Sequence, residues 1–276
     1  LTGAKPAWKI NVGDGYSAVS VKGGRLFTMG NKGDQDIVWC LDARTGVEIW
    51  KQPYPCPKGS YSGPRSTPAA DDGFVYTFSR EGHIFCLKES DGSIVWQKNA
   101  MADFQAKNLG WGLTSSPTIE GELLVLNAGA CGLALNKKTG EKVWASGAGV
   151  GNYASAVFYT LAGKRCVVIF GQKAIQGADL KTGQQLWSFP WETAYDVNAP
   201  DPIVSGSEVF FTTGYERGCA LLDLSGASPS KVYENKSLCS HFGSPVLIDG
   251  YIYGVNGNTG GGQLICLDLK TGTEKW

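Results

Sequence analysis

Methionine and histidine are almost missing from this sequence, two of each in 276 residues. No second histidine lies near His83 or His241 to build a zinc site, and His83 reads as a plain strand residue. No two of the eight cysteines are adjacent, and none form Cys-x-x-Cys, so zinc ribbons and thioredoxin-like redox chemistry lose their main signature. The longest apolar runs, such as Cys166 to Phe170, are far shorter than the roughly 20 residues a membrane-spanning helix needs. Neither sign of charge dominates: 25 Lys and Arg balance 25 Asp and Glu, which argues against a basic nucleic-acid footprint or a polybasic membrane surface. A Gly-x-Ser-x-Gly nucleophile elbow is also missing.

What is abundant is glycine, 38 residues, with nine tryptophans. That balance favours short strands and tight turns over helices. The chain opens at Leu1 without Met, which leaves room for a removed export signal and makes a periplasmic or secreted location the expectation. Cys40, Cys86 and Cys266 each stand immediately before the same repeated Leu. Equivalent places in separate repeats are too far apart to bridge, so these thiols read as small buried hydrophobes. Cys56 and Cys239 lie in predicted loops as the exceptions.

Self-similarity organises the rest. Leu41-Asp42-Ala43-Arg44-Thr45-Gly46 followed by Trp50 returns as Leu87 to Gly92 with Trp96 and as Leu135 to Gly140 with Trp144. It returns again as Asp179 to Gly183 with Trp187, degraded as Leu222-Asp223 with Tyr233, and as Leu267 to Gly272 with Trp276. Successive aromatics are 46, 48, 43, 46 and 43 residues apart. The phrase describes a hairpin in which an apolar strand ends at Leu-Asp, the Asp caps the turn, Gly takes a positive φ and the next strand carries the aromatic. Asp72-Gly73, Glu120-Gly121, Ser205-Gly206 and Asp249-Gly250 mark a second turn in the same repeats. Each repeat therefore holds four antiparallel strands, and such units bury their faces by stacking around an axis. The fold expected is all-β, a β-propeller of six blades in one domain over residues 1–276, with blades ending near Trp50, Trp96, Trp144, Trp187, Tyr233 and Trp276.

Leu-Asp-x-x-Thr-Gly-x-x-x-Trp resembles the tryptophan-docking repeat of the pyrroloquinoline quinone (PQQ) propeller superfamily, over essentially the whole chain. The resemblance implies that Trp50, Trp96, Trp144, Trp187 and Trp276 each pack onto a neighbouring blade. It is specific for fold and not for function, because the superfamily contains quinoprotein alcohol and sugar dehydrogenases as well as cofactor-free members similar to the lipoprotein of the outer-membrane β-barrel assembly machinery. Its dehydrogenases typically hold PQQ beside two adjacent cysteines and calcium on a Glu, Asn and Asp set. This sequence lacks the cysteine pair, and no calcium ligand or catalytic residue is carried over. Trp8 looks like the end of an outer strand, while the sixth repeat already reaches its own Trp276, so an open arc from a parent of seven or eight blades is expected.

Smaller motifs carry little. Gly147 to Gly151 reads as a loop between strands, because no helix N-terminus follows it to hold a phosphate. Asn31, Asp34 and Asp36 read as a solvated turn, since the other acidic ligands of a calcium loop are missing. Asn235-Lys236-Ser237 fits a glycosylation acceptor, a pattern common by chance.

The connections entering each inner strand are the longest, and in a propeller they converge on the mouth of the axial channel. They bring Tyr16, Arg65, Trp111, Tyr153, Asp196, Asn198 and His241, with Tyr61, Tyr195 and Phe242 beside them, to that expected funnel. Aromatic and hydrogen-bonding groups around a funnel suit a ligand or partner, although the same residues can also serve only to fill the loops. The leading expectation is a non-enzymatic propeller that binds a protein or small ligand there, as a scaffold of the bacterial cell envelope. The alternative is a PQQ-dependent alcohol or sugar dehydrogenase with PQQ and calcium as cofactors. A thiol titration of the denatured protein is expected to find mainly free sulfhydryls, and a count of zero would overturn the reading of the cysteines as buried thiols.

Overall fold

The structure, a computed structural model, describes residues 3, 5–128, 132–146, 150–258 and 261–276. Cys131 and most of the Gly147 to Gly151 loop, Gly147 to Gly149, lie outside the described residues. Among the described residues strands dominate, with one short helix, α1 (Ala100–Phe104), and a single 3-10 turn over Ala194–Asp196.

The strands form six antiparallel sheets in sequence order. The first blade is β1 (Ser20–Lys22), β2 (Arg25–Asn31), β3 (Gln35–Asp42) and β4 (Glu48–Pro55). The second is β5 (Ala69–Asp71), β6 (Phe74–Phe78), β7 (His83–Lys88) and β8 (Ile94–Asn99). The third is β9 (Thr118–Glu120), β10 (Leu123–Leu126), β11 (Leu133–Asn136) and β12 (Lys142–Ala145). The fourth is β13 (Val157–Leu161), β14 (Lys164–Phe170), β15 (Ala174–Asp179) and β16 (Gln185–Pro190). The fifth is β17 (Ile203–Ser205), β18 (Glu208–Thr213), β19 (Gly218–Asp223) and β20 (Ser230–Asn235). The sixth is β21 (Val246–Ile248), β22 (Tyr251–Asn256) and β23 (Gln263–Asp268). Residues 274–276 take the fourth place there, with Lys275 N–H donating to the Cys266 carbonyl at 2.8 Å and Cys266 N–H to the Trp276 carbonyl at 2.9 Å. The chain makes two compact units, residues 1–124 with 135–141, and residues 125–134 with 142–276.

The sheets have these boundaries for local reasons. Asp72-Gly73 and Asp249-Gly250 adopt positive φ at both residues, the mirror-image turn whose twist matches that of the flanking strands. At the outer hairpin the Asp42 carboxylate accepts from Arg44 N–H, Thr45 N–H and the Thr45 hydroxyl at 2.8–3.0 Å, and Asp179 and Asp268 repeat the arrangement. The middle strands are buried, as the run from Cys166 to Phe170 in β14 shows, which is why they read as continuous apolar runs.

The outer hairpin also carries the joint between blades. The Trp50 ring lies on Gly92, Trp96 on Gly140, Trp144 on Gly183 and Tyr233 on Gly272, so close that a Cβ added to any of these glycines would come within 2.6–2.8 Å of the ring. Trp8 covers Gly46 in the same way, so it occupies a docking position. Each ring donates to the carbonyl three residues before its glycine: Trp8 to Ala43 (3.3 Å), Trp50 to Glu89 (2.8 Å), Trp96 to Lys137 (3.0 Å), Trp144 to Leu180 (2.8 Å) and Tyr233 to Leu269 (2.9 Å). Glycine is required twice over, because these positions have φ of 66–75° and the aromatic face fills the space of a side chain.

Cys40 and Cys86 are buried opposite Trp50 and Trp96 in the strand register, and Cys266 is buried as well; the seven described cysteines are free. Two expectations need correction. Asn31 and Asp36 do not form a solvated turn: both are buried in β2 and β3, with the Asn31 amide donating to Asp36 Oδ1 at 2.8 Å and to the Cys56 carbonyl at 3.0 Å. Cys56 is buried with them, because the end of β4 packs over this pair.

Trp144→Ala is expected to destabilise the second unit by about 3–5 kcal/mol, through the cavity left over Gly183, as measured by urea unfolding. A loss under about 1 kcal/mol would show that the ring contributes no buried packing.

Candidate functional site

In the first unit, Tyr16, Arg65 and Trp111 come together through Tyr61. The Arg65 guanidinium lies 5.4 Å from the Tyr16 ring centre and donates to the carbonyls of Tyr61 (3.0 Å) and Gly63 (3.3 Å). Tyr61, held at φ 57°, meets Trp111 edge to face at 5.7 Å. Tyr16, Tyr61 and Trp111 are all exposed.

In the second unit, Tyr153, Asp196, Asn198 and His241 lie in one loop cluster, with asparagine amides as its staples. Asn152 accepts from Tyr153 N–H at 2.9 Å and donates to the Asp196 carbonyl at 2.7 Å. Asn198 is fully buried; its amide donates to the Gly171 carbonyl at 2.9 Å, and its oxygen accepts from the Thr193 hydroxyl at 2.6 Å. Asn198 therefore positions the loop. Asp196 is paired with Lys173 at 2.7 Å, and this bond raises the lysine's pKa.

Around His241 the aromatic side chains form a continuous run. Tyr195 meets Tyr215 at 5.2 Å between ring centres, Tyr215 meets His241 edge to face at 4.6 Å, and Phe242 stacks on His241 at 3.8 Å. The ends of the run face solvent, Tyr195 at 76% and Phe242 at 59% exposure, whereas His241 is 7% exposed. Both of its ring nitrogens are buried without a hydrogen-bond partner. Four residues here, Tyr195, Asp196, Tyr215 and Glu216, sit at φ of 54–60°. Left-handed backbone at non-glycine residues is costly and clusters where a loop presents side chains for a task. Arg217, at 3.4 Å over the Trp191 ring, anchors the base of the loop. Tyr215 is the member that sequence reasoning missed, because it lies in a β18–β19 turn and not in a connection between blades; its flanking glycines, Gly214 and Gly218, were the available signal.

The other histidine belongs to a buried polar group in the first unit. His83 Nδ1 is 3.0 Å from the Ser79 hydroxyl, and Tyr54 OH donates to Asp36 Oδ2 at 3.4 Å. Burial raises the pKa of the Asp36 carboxyl and pushes the Cys56 thiol up to about 12. A protonated thiol is a poor nucleophile, so the group serves as a hydrogen-bonded core. His83, Tyr54 and Phe85 line a cavity of about 430 Å³, which none of the candidate residues borders.

Among the described residues no three His, Cys, Asp or Glu side chains converge to hold a metal.

A family model described as outer membrane protein assembly factor BamB matches residues 33–276. The tetrathionate hydrolase of Acidithiobacillus ferrooxidans is 24% identical over 236 residues, which are 78% of this chain and 45% of that protein. The chain thus spans less than half the length of this curated relative. Among solved structures, BamB from Moraxella catarrhalis superposes with a TM-score of 0.67 at 16% identity, covering 94% of this chain and 71% of that one. A europium-containing methanol dehydrogenase gives 0.66 at 14% identity, covering 94% and 68%. The quinohemoprotein alcohol dehydrogenase of Comamonas testosteroni gives 0.55 at 15% identity, covering 94% and 45%. At such identities these structures share the PQQ-like propeller fold and nothing finer.

Burial lowers the pKa of His241 from 6.5, so the unfolded chain takes up this proton more readily than the folded one. The stability tied to the neutral ring is fully present above about pH 6.5 and is lost as the pH falls below it. His241→Phe, which also removes two unpaired nitrogens, is expected to fold with unchanged or greater stability and a shallower loss between pH 7.5 and 5.5. Melting temperatures at the two pH values check this, and a variant as pH-sensitive as the parent would refute it.

Proposed function

Because the chain belongs to the PQQ-like propeller family described as outer membrane protein assembly factor BamB, we propose that it is a non-enzymatic scaffold of the bacterial cell envelope that binds a protein partner through the loops around Tyr195 and His241. The observation that carries this reading is the aromatic run, solvent-facing at Tyr195 and Phe242 and held on loops of strained backbone. Tyrosine and other aromatics dominate the energetics of protein interfaces, because they offer large rigid contact area at little entropic cost. A protein is preferred over a small ligand because neither the cavity beside His83 nor the cleft beside Trp187 is bordered by a candidate residue. The exposed Tyr16, Tyr61 and Trp111 of the first unit form a second patch of the same character.

The test places a photo-crosslinking amino acid at Tyr195 or Phe242 in the bacterial host. The expected result is an adduct with a component of outer-membrane protein assembly, reduced at least about tenfold when the other ring is changed to Ala, as for a hot-spot loss of about 1.4 kcal/mol or more. Titration with PQQ plus calcium and a dye-reduction assay, together with a tetrathionate hydrolysis assay, form the opposing arm. Saturable PQQ binding with turnover, or hydrolysis of tetrathionate, would overturn the scaffold reading.

A further inference from the structure

One joint of the second unit breaks the docking pattern. The fifth-blade turn runs Asp223-Leu224-Ser225-Gly226-Ala227-Ser228-Pro229-Ser230 before Tyr233, two residues longer than its counterpart from Asp268 to Trp276. No aromatic ring lies over its glycine: a Cβ on Gly226 would meet only the Ser228 carbonyl, at 3.6 Å. Trp187, the ring due to dock there, instead donates its indole N–H to Tyr159 OH at 2.7 Å, within its own blade. The strand register favours this diversion. Trp187 lies opposite Gly177, where Trp50 and Trp96 lie opposite cysteines, and a Cβ at Gly177 would collide with both the indole nitrogen and Tyr159 OH. In place of the docked turn there is a cleft of about 270 Å³, bordered by Leu161, Cys166 and Trp187 of the fourth blade and Leu224, Ala227 and Pro229 of the fifth.

The opposite end of the same joint is tied down. Trp191, which follows β16, donates to the Thr213 hydroxyl of the fifth blade at 3.0 Å and packs edge to face on Phe211 at 4.8 Å. Arg217 covers its outer face, and the loop continues through the staples of Asn198. On either side the pattern is intact, with Trp144 on Gly183 and Tyr233 on Gly272.

We propose that the joint between the fourth and fifth blades is a hinge, pinned at Trp191 and undocked at Trp187, which opens locally while the neighbouring joints stay closed. At this end the ring-on-glycine contact and the indole-to-carbonyl bond of the neighbouring joints are both missing, although Trp187 stays buried near Leu222 and Leu224, and elements that absorb motion are drawn from such less-bonded seams. Opening exposes the Cys166 thiol, which is fully buried and borders the cleft. This hinge does not depend on what the aromatic loops bind.

The sequence of the sixth-blade turn supplies the test. Replacing Leu224 through Ser230 with the five residues Leu-Lys-Thr-Gly-Thr, copied from Leu269 to Thr273, restores the length and glycine of a docking turn. Native-state thiol labelling, resolved by mass spectrometry, follows Cys166 with Cys219 and Cys266 as buried references in the second unit. In the parent, Cys166 is expected to label fastest of the three, and the grafted turn slows it at least about tenfold without changing the references, as a local opening made about 1.4 kcal/mol costlier requires. Tyr159→Phe, which frees the indole N–H with minimal loss of volume, guards against a graft that fails to fold and is expected to change the Cys166 rate while leaving the references alone. Cys166 labelling no faster than Cys219, or a rate that neither variant changes selectively, would overturn the hinge.

Discussion

A tryptophan ring lying flat on a glycine of the next blade is the contact on which the rest of this structure depends. A four-stranded sheet of this size has two faces to bury and cannot do so alone. The ring supplies apolar area, its N–H satisfies a turn carbonyl, and the Asp of the same turn holds the backbone in the shape that receives it. The glycine contributes by lacking a side chain. One element thus fixes the end of one blade and the start of its contact with the next. Tyr233 preserves the arrangement with its hydroxyl in place of the indole N–H, so the requirement is for a flat ring carrying a donor.

Rigidity of this kind frees the connecting loops from structural duty. Once strands and docking turns hold the blades, the segments around Tyr61, Tyr195 and Tyr215 can adopt left-handed backbone and turn aromatic rings toward solvent. The buried asparagines at positions 152 and 198 make this affordable, because they bond carbonyls that irregular backbone would otherwise leave unpaired. His241 is the exception, with neither nitrogen bonded, and it sits at the centre of the aromatic run. The polar group around Asp36 shows the contrasting case, in which burial raises the Asp36 pKa and is matched by hydrogen bonds from Asn31 and Tyr54.

The sequence by itself determined the blades, their order and the docking of Trp50, Trp96 and Trp144, because each rests on a local pattern: an Asp or Asn cap or a turn of the same length, a glycine at positive φ and an aromatic four residues later. It determined the burial of Cys40, Cys86 and Cys266 for the same reason. Tertiary structure alone decided where spacing carries no signal. It sorted the candidate residues into two groups, Tyr16, Arg65 and Trp111 in one unit and Tyr153, Asp196, Asn198 and His241 in the other. It turned Asn198 inward to serve as a staple and added Tyr215 from a turn within a blade. It buried Asn31 and Asp36, which read as turn residues, by closing the end of β4 over them. It also undid the docking of Trp187, whose repeat phrase is intact, because docking needs a receiving glycine some 40 residues downstream, and there the longer fifth-blade turn carries Gly226 away from the ring. Periodicity fixes each residue's place within its own hairpin, whereas contact between hairpins depends on both partners at once.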